Sequence, residues 1–481
     1  MTNENPYLKT QPTIDPEFAS EVDQYLERVN ELPTYRSRIG CVIPAYNESE
    51  TIAAVLESLL EQTRLPDVIH VVVNNSTDDT TEVASRFAGP HSRIISRVEQ
   101  TTEVFIHDIG DNPDKKVGAL NYGFSLIEGS DYMLGVDGDT SAERHAIEYL
   151  EAEISSDSRM GGISAIYSID DQKLSGPVAG FLIAGQRAQF AAFNMKNMLR
   201  GRNMAVLGGQ YSIFSMRALR DVMAISKQST PWVRDSEVED SLLSLQIKSV
   251  GYLTKISSQA RADVGGMTTL RSLDAQQVKW NAGAIELMWP GQRGDTKGQP
   301  FHPNLRLRWF ENLSMAMNVL TRALFIMLLC GSLANHSFIF VPLWLIPPII
   351  ACMLNVRTAF SMKNHNWRDF TYALWFIPAE MYMWVRIGHF VRAWTKFARN
   401  KQVDSWAEQA KAERGSGNVH LAPFLTSLAI SAALVFIWLQ LSPNQQSTVL
   451  TVGWPILGMT TIVQTFFMFV TLVKPHRGFR V

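Results

Sequence analysis

The stretch Tyr132-Met-Leu-Gly-Val-Asp137-Gly-Asp139 decides the fold of the first part of this chain. Residues 132–136 form a short apolar run of the kind that makes a buried strand, and two carboxylates spaced by a glycine follow it at once. The same grammar repeats upstream. Residues 40–44 are an apolar run, followed by a turn and a helix over 50–62. Residues 68–73 are a second run that ends in Asn74-Asn-Ser-Thr-Asp78, a loop and N-cap cluster ahead of a helix near 80–88. A third strand is expected at 104–106 and a helix at 116–127. Strands alternating with helices predict an α/β domain whose mostly parallel sheet is covered on both faces. Ligands of such sheets bind beyond the carboxyl ends of the strands. Residues 46–48, 74–79 and 137–139 all fall at such ends.

A chain of 481 residues is long for one core, so two domains, or a domain and a membrane part, are expected. The net charge of -2 gives no footing for a nucleic-acid partner. Residues 1–310 hold most of the acidic groups, whereas 313–473 hold long apolar stretches rich in Trp, Phe, Leu and Met. Cys41, Cys330 and Cys352 lack metal-ligand spacing, so neither a disulfide framework nor a zinc site is expected. The N-terminus has no basic-then-apolar signal peptide, which makes the first domain cytosolic by expectation. Residues 1–15 are polar, and Phe18, Val22, Tyr25, Leu26, Val29 and Leu32 recur at helical spacing, giving an amphipathic helix over 16–32.

Residues 313–333, 338–356, 424–441 and 449–473 are each long and apolar enough to cross a bilayer of about 30 Å. Residues 370–394 contain Pro378, Glu380, Arg386, His389 and Arg392. A fifth crossing there would put Arg392, Lys396, Arg399 and Lys401 outside, against the positive-inside tendency. We therefore expect four spans plus an interfacial or re-entrant element, interrupted at Pro378, with Trp375, Trp384 and Trp394 at the headgroup level; five spans is the alternative.

Five further segments carry polar residues in suggestive order: Cys41-Val-Ile-Pro-Ala-Tyr-Asn-Glu48, Lys115-Lys-Val-Gly-Ala-Leu-Asn121, Gly208-Gly-Gln-Tyr-Ser212, Glu239-Asp240, and Gln276-Gln-Val-Lys-Trp280. Each has a plain structural reading. An acidic turn can be merely solvated. Glu239 and Asp240 can complement a helix N-terminus. Val278 and Trp280 can pack an amphipathic helix on a core. The glycine pair at 208–209 can make a strand turn.

Taken together with Asp137-Gly-Asp139, in this order and spacing, they resemble the family 2 glycosyltransferases, inverting enzymes of the GT-A fold. The closer resemblance is to the membrane-integrated subgroup of cellulose, chitin, hyaluronan and poly-N-acetylglucosamine synthases. It covers residues 36–290 by motif. The fold it implies is an α/β GT-A nucleotide-sugar-binding domain with a mixed, mostly parallel sheet, followed by an α-helical transmembrane bundle. The expected layout is a polar tail and helix (1–35), the cytosolic transferase domain (36–265), the Gln-x-x-Lys-Trp segment with interface helices (266–312), and the membrane region (313–481).

The resemblance also implies roles. Asp139 binds a divalent cation, Mg2+ or Mn2+, which suits oxygen ligands and a departing diphosphate. Asp137 lies close to the donor. Asp240 is the general base that takes the acceptor's proton. Tyr46 and Glu48 line the nucleotide pocket, and Lys116 is a donor-pocket lysine. Many relatives have Asp-Asp-Gly-Ser where this chain has Asn74-Asn75-Ser76-Thr77; Asn75 is expected to hydrogen-bond a uracil, so the expected donor is a UDP-sugar. Gln276, Lys279 and Trp280 stand in the family's Q-x-x-R-W. Lys279 replaces its arginine and so keeps the charge without the bidentate fork.

The implied function is transfer of a sugar to a growing polysaccharide at the cytosolic membrane face. The implied partners are a nucleotide-sugar, a saccharide or lipid acceptor, and membrane lipids. A single addition to a lipid acceptor, and a degenerate membrane scaffold without activity, are the alternatives.

Overall fold

The computed structural model describes residues 36–399, 412 and 422–481, except 96, 170–173, 175, 205, 235 and 237, with side chains from 425 in the last segment. The expected helix at 16–32 and the basic Lys401 lie outside the described residues. The account below concerns Ile39–Val481, which forms one compact unit.

The chain runs β1 (Ile39–Ala45), α1 (Ile52–Leu60), β2 (Val68–Val73), α2 (Thr80–Ser85), β3 (Gly89–Ile95), β4 (Val98–Asp108), α3 (Lys115–Leu126) and β5 (Tyr132–Val136). It continues with β6 (Ser141–Ala142), α4 (Ala146–Ser155), β7 (Met160–Ser168), α5 (Gly176–Arg200), β8 (Tyr211–Ser215), α6 (Met216–Ser226), α7 (Glu239–Ser249), β9 (Leu253–Asp263) and α8 (Leu270–Met288). Nine strands form one sheet in the order β3-β4-β2-β1-β5-β8-β7-β9-β6. β2, β5 and β4 join β1 in a parallel block, and β7 pairs β9 in parallel. β3, β8 and β6 run antiparallel to their neighbours. The sheet is the mixed GT-A-like arrangement, with its parallel block at the centre.

Alternation along β1 explains how both faces are filled. Ile39, Cys41, Ile43 and Ala45 pack with α1, α2 and α4 on one side. Val42 packs with α3, α5, α6 and α7 on the other. The parallel strands β2, β1 and β5 end side by side, at Val73, Ala45 and Val136. Their following residues therefore share one rim of the sheet.

Beyond α8 come α9 (Arg306–Ala334), α10 (Ile346–Ser361), α11 (Trp367–Leu374), α12 (Phe376–Ala398), α13 (Ala422–Gln440) and α14 (Pro443–Val473). Among the described residues three helical segments are long and apolar enough to cross a membrane: Pro303–Ala334, Pro342–Ser361 and Pro443–Val473. Their apolar side chains face outward, with Met459 and Ile462 each 70% exposed, which in water would be an aggregation hazard and in lipid is ordinary. The fourth expected span falls on α13, whose described part, Leu425–Gln440, is apolar but shorter.

The segment expected at 370–394 is broken, but not at Pro378. The break is at Trp375, extended at φ -90 and ψ 116, between α11 and α12. Pro378 is the third residue of α12, where its missing N–H would have no intrahelical partner in any case. Several charges in this region are paired across helices. Arg322 of α9 forks onto Glu380 at 2.5 and 2.7 Å, and Arg187 of α5 onto Asp369 at 2.8 and 2.9 Å.

Candidate active site

The rim beyond β2, β1 and β5 gathers most of the singled-out residues. Asp137 follows β5 directly, and its main-chain N–H donates to the Gln210 carbonyl, 3.0 Å. Lys116, in the first turn of α3, places Nζ 2.6 Å from Asp137 Oδ1. Gly209 lies beside both Lys116 and Asp240: a Cβ there would fall 3.0 Å from Lys116 Nζ and against Asp240 Oδ2. Only a glycine lets the loop come this close. The Gly209 N–H also bonds the Asp240 carboxylate. Asp137, Lys116, Gly209 and Asp240 are thus one contiguous group, drawn from β5, α3, the 208–210 loop and α7.

Burial sets the electrostatics. Asp240 opens α7 beside the buried Glu239. Burial and the neighbouring Glu239 push the Asp240 carboxyl up to about 8, against the pull of Lys116. Burial likewise raises Glu239, while Lys116 and Lys279 work to lower it. Burial alone would depress Lys116, but Asp137, Asp240 and Glu239 around it hold the ammonium well above its ordinary range. A carboxyl poised near neutrality is what a general base requires.

Asp139 is exposed at the mouth of this group, with Thr140 Oγ1 donating to its Oδ1 at 3.2 Å. Glu48 lies against Gly138, and Thr51 Oγ1 ties the two by donating to Glu48 Oε2 (2.7 Å) and to the Gly138 carbonyl (2.8 Å). Tyr46 projects into solvent at 41% exposure. The Asp139 carboxylate and an open mouth fit a cation that takes its remaining oxygens from a ligand. Among the described residues no three His, Cys, Asp or Glu side chains converge as a closed site.

Asn75 joins two loops. At φ 52, it donates from Nδ2 to the Asn112 carbonyl (2.8 Å) and accepts the Asn112 N–H on Oδ1 (2.7 Å). Its amide thereby stitches the loop after β2 to the loop before α3. On α8, Lys279 is buried and faces Glu239, while Gln276 and Trp280 are half-buried.

Sequence reasoning missed Tyr167 of β7. Its hydroxyl donates to the Gly208 carbonyl (3.0 Å) and accepts from Ser164 Oγ (2.8 Å) and the Tyr211 N–H (3.3 Å), which fixes the glycine loop under Asp240. No local pattern marks it, since Gly208 is 41 residues away.

Residues 41–223 match the family model Glycosyl transferase family 2. The chain is similar to the poly-beta-1,6-N-acetyl-D-glucosamine synthase of Staphylococcus aureus (strain COL), with 23% identity over 250 residues, 52% of this chain and 55% of the relative. The synthase of Staphylococcus epidermidis is 22% identical over 256 residues, 52% of this chain and 57% of the relative. The chain spans about half the length of the curated relatives it matches. Among solved structures, the mannosyltransferase PcManGT of Pyrobaculum calidifontis, in complex with GDP-Man and Mn2+, aligns at a TM-score of 0.38 and 14% identity, covering 90% of this chain and 95% of that one.

Proposed function

We propose that this protein is a membrane-embedded inverting glycosyltransferase that extends a polysaccharide from a nucleotide-sugar at the cytosolic face. The observation that carries the reading is the contiguity of Asp137, Lys116 and Asp240 around Gly209, with Asp240 raised toward neutrality.

In the proposed reaction an acceptor hydroxyl attacks the anomeric carbon while Asp240 takes its proton. The bond from that carbon to the diphosphate oxygen breaks, and the diphosphate leaves with the electron pair. Attack from the face opposite the leaving group inverts the centre. Lys116 holds Asp137 in place and supplies positive charge beside the departing group. A divalent cation on Asp139 would neutralise that group's charge. In this reading Tyr46 and Glu48 border the nucleotide. Asn75 contributes by holding two loops in register; its amide is already engaged, which supports a positioning role over direct contact with a base.

The Staphylococcus relatives are poly-beta-1,6-N-acetyl-D-glucosamine synthases, which, with the expected uridine nucleotide, makes UDP-N-acetylglucosamine the first donor to try. The purified full chain is incubated with each radiolabelled sugar nucleotide in turn, and released nucleoside diphosphate and product length are read together. A ladder of products supports polymerisation. One discrete lipid-soluble product would replace it with single transfer, and no diphosphate release from any donor would leave a membrane scaffold.

A further inference from the structure

Asp274 sits on α8, two residues ahead of Gln276, and is fully buried. Arg392 of α12 is ion-paired with its Oδ2. His389, one turn earlier on α12 and 1% exposed, holds Nε2 3.9 Å from Asp274 Oδ1. Among the described residues, that oxygen and both ring nitrogens of His389 make no hydrogen bond. A carboxylate gripped on one oxygen thus faces, on the other, a buried imidazole that stands just beyond hydrogen-bond reach.

The two sides of α8 do different things. Val278 and Ile285, on the side of Asp274, pack with Ala393 of α12. Lys279 and Gly283 share another face, by helical spacing. Gly283 abuts Val238, where a Cβ at position 283 would overlap the valine side chain. Val238 immediately precedes Glu239-Asp240, and Lys279 is a cation acting on Glu239. α8 is therefore a strut, held by α12 on one side and bearing on the start of α7 on the other.

We propose that Asp274, gripped by Arg392 and faced by His389, is a positioning residue for the transfer reaction. It sets how closely α8 presents Lys279 and Gly283 to Glu239-Asp240, so that α12 governs the geometry of the proton-accepting carboxylate. This rests on the transferase reading above. α12 also contacts the long apolar helix α9 through Glu380 and Arg322. A displacement of α12 by the growing product or the surrounding lipid would thus reach the base through one helix.

The test uses the full chain in lipid nanodiscs, with Asp274→Asn and Arg392→Gln beside wild type, and Arg392→Lys as the charge-keeping variant. Amide hydrogen exchange is followed over residues 238–243 and 276–283. In Asp274→Asn and Arg392→Gln we expect exchange there to quicken about tenfold, with the amides of β1 and β5 unchanged; Arg392→Lys should restore most of the protection. Turnover should fall about 10–100-fold from misplacement of the base, with donor KM nearly constant. The rising limb of the kcat/KM profile should move to lower pH: as Lys279 withdraws, Glu239 holds its proton more tightly and raises Asp240 less. Unchanged exchange over 238–243 in Arg392→Gln overturns the proposal, as does loss of protection spread over the whole sheet. The exchange comparison does not depend on transfer, so a wild-type protein inactive with every donor would overturn the transferase reading and leave the role of the strut decided by exchange.

Discussion

Asp240 can accept a proton only as the carboxylate, and burial beside Glu239 makes that form scarce below about pH 8. The sign follows: for a raised acid, the working fraction falls about tenfold per pH unit below its pKa. We predict that kcat/KM climbs as pH rises toward 8 and then levels, read from initial rates across pH 6–9. Asp240→Asn should lower turnover by about 10²–10⁴-fold and abolish that limb, while calorimetric donor affinity is nearly retained. A loss under about threefold would assign the base elsewhere. Gly209→Ala should be almost as damaging, because its methyl group enters the space between Asp240 and Lys116; turnover beside an unchanged far-UV spectrum checks this. Asp139→Ala should remove any dependence on divalent cation along with most of the activity, measured by donor turnover in chelator and in added Mg2+. At this scale the sequence pointed to Asp137, Lys116 and Asp240 by residue type, and the fold brings these three together; the roles assigned to them are proposals. The sequence was unreadable where a residue acts by shape or at a distance. Tyr167 looks like any strand tyrosine, and Asn75 turned its amide to the Asn112 backbone because a left-handed loop brought that backbone within reach.

Elements differ in how plainly they announce themselves. β1, β2 and β5 are fully or nearly fully buried, so their runs are continuous and their bounds were legible to within a residue or two. β3 escaped notice because it lies at the sheet edge: its burial alternates with exposure, and Gly89-Pro90 opens it like a loop. The antiparallel strand β8 was read only as part of a glycine turn. Pro378 misled for a physical reason, since the fold begins a new helix just ahead of it and so makes the proline harmless. Tyr167→Phe tests the element-level role of β7. It removes the hydroxyl that the Tyr211 N–H donates to and leaves the Gly208 carbonyl to Ser212 Oγ alone, which should cost about 1–3 kcal/mol, visible as a lower denaturant midpoint. Catalysis should fall further than that stability loss explains.

For the molecule as a whole, sheet domain and apolar helices are joined by ion pairs between residues far apart in sequence. Arg187–Asp369 is buried at both ends, whereas Lys363–Glu143 lies at the surface. Arg187→Met strands Asp369 as a buried unpaired charge, so we predict a destabilisation of about 3–5 kcal/mol, measured as a drop in melting temperature in detergent. Lys363→Met should cost less than about 1 kcal/mol. The three long apolar helices lead us to expect that the protein stays in the membrane fraction through an alkaline wash and is released by detergent. Hydropathy foretold these helices well, since a span is written in composition. It could not foretell which charges would meet, because pairing is a property of the folded chain.

Under the proposed reaction, Asp137, Asp139, Glu239 and Asp240 stand near Lys116 and Lys279, so the charge that a passing ligand meets changes with pH. While Glu239 and Asp240 hold their protons, the two lysines offset Asp137 and Asp139, and an anionic donor meets little field of its own sign. As pH rises and the two buried acids ionise, the surplus of carboxylate should slow the donor's arrival and hasten the departure of the more highly charged nucleoside diphosphate, so that acidity sets the balance of traffic through the mouth.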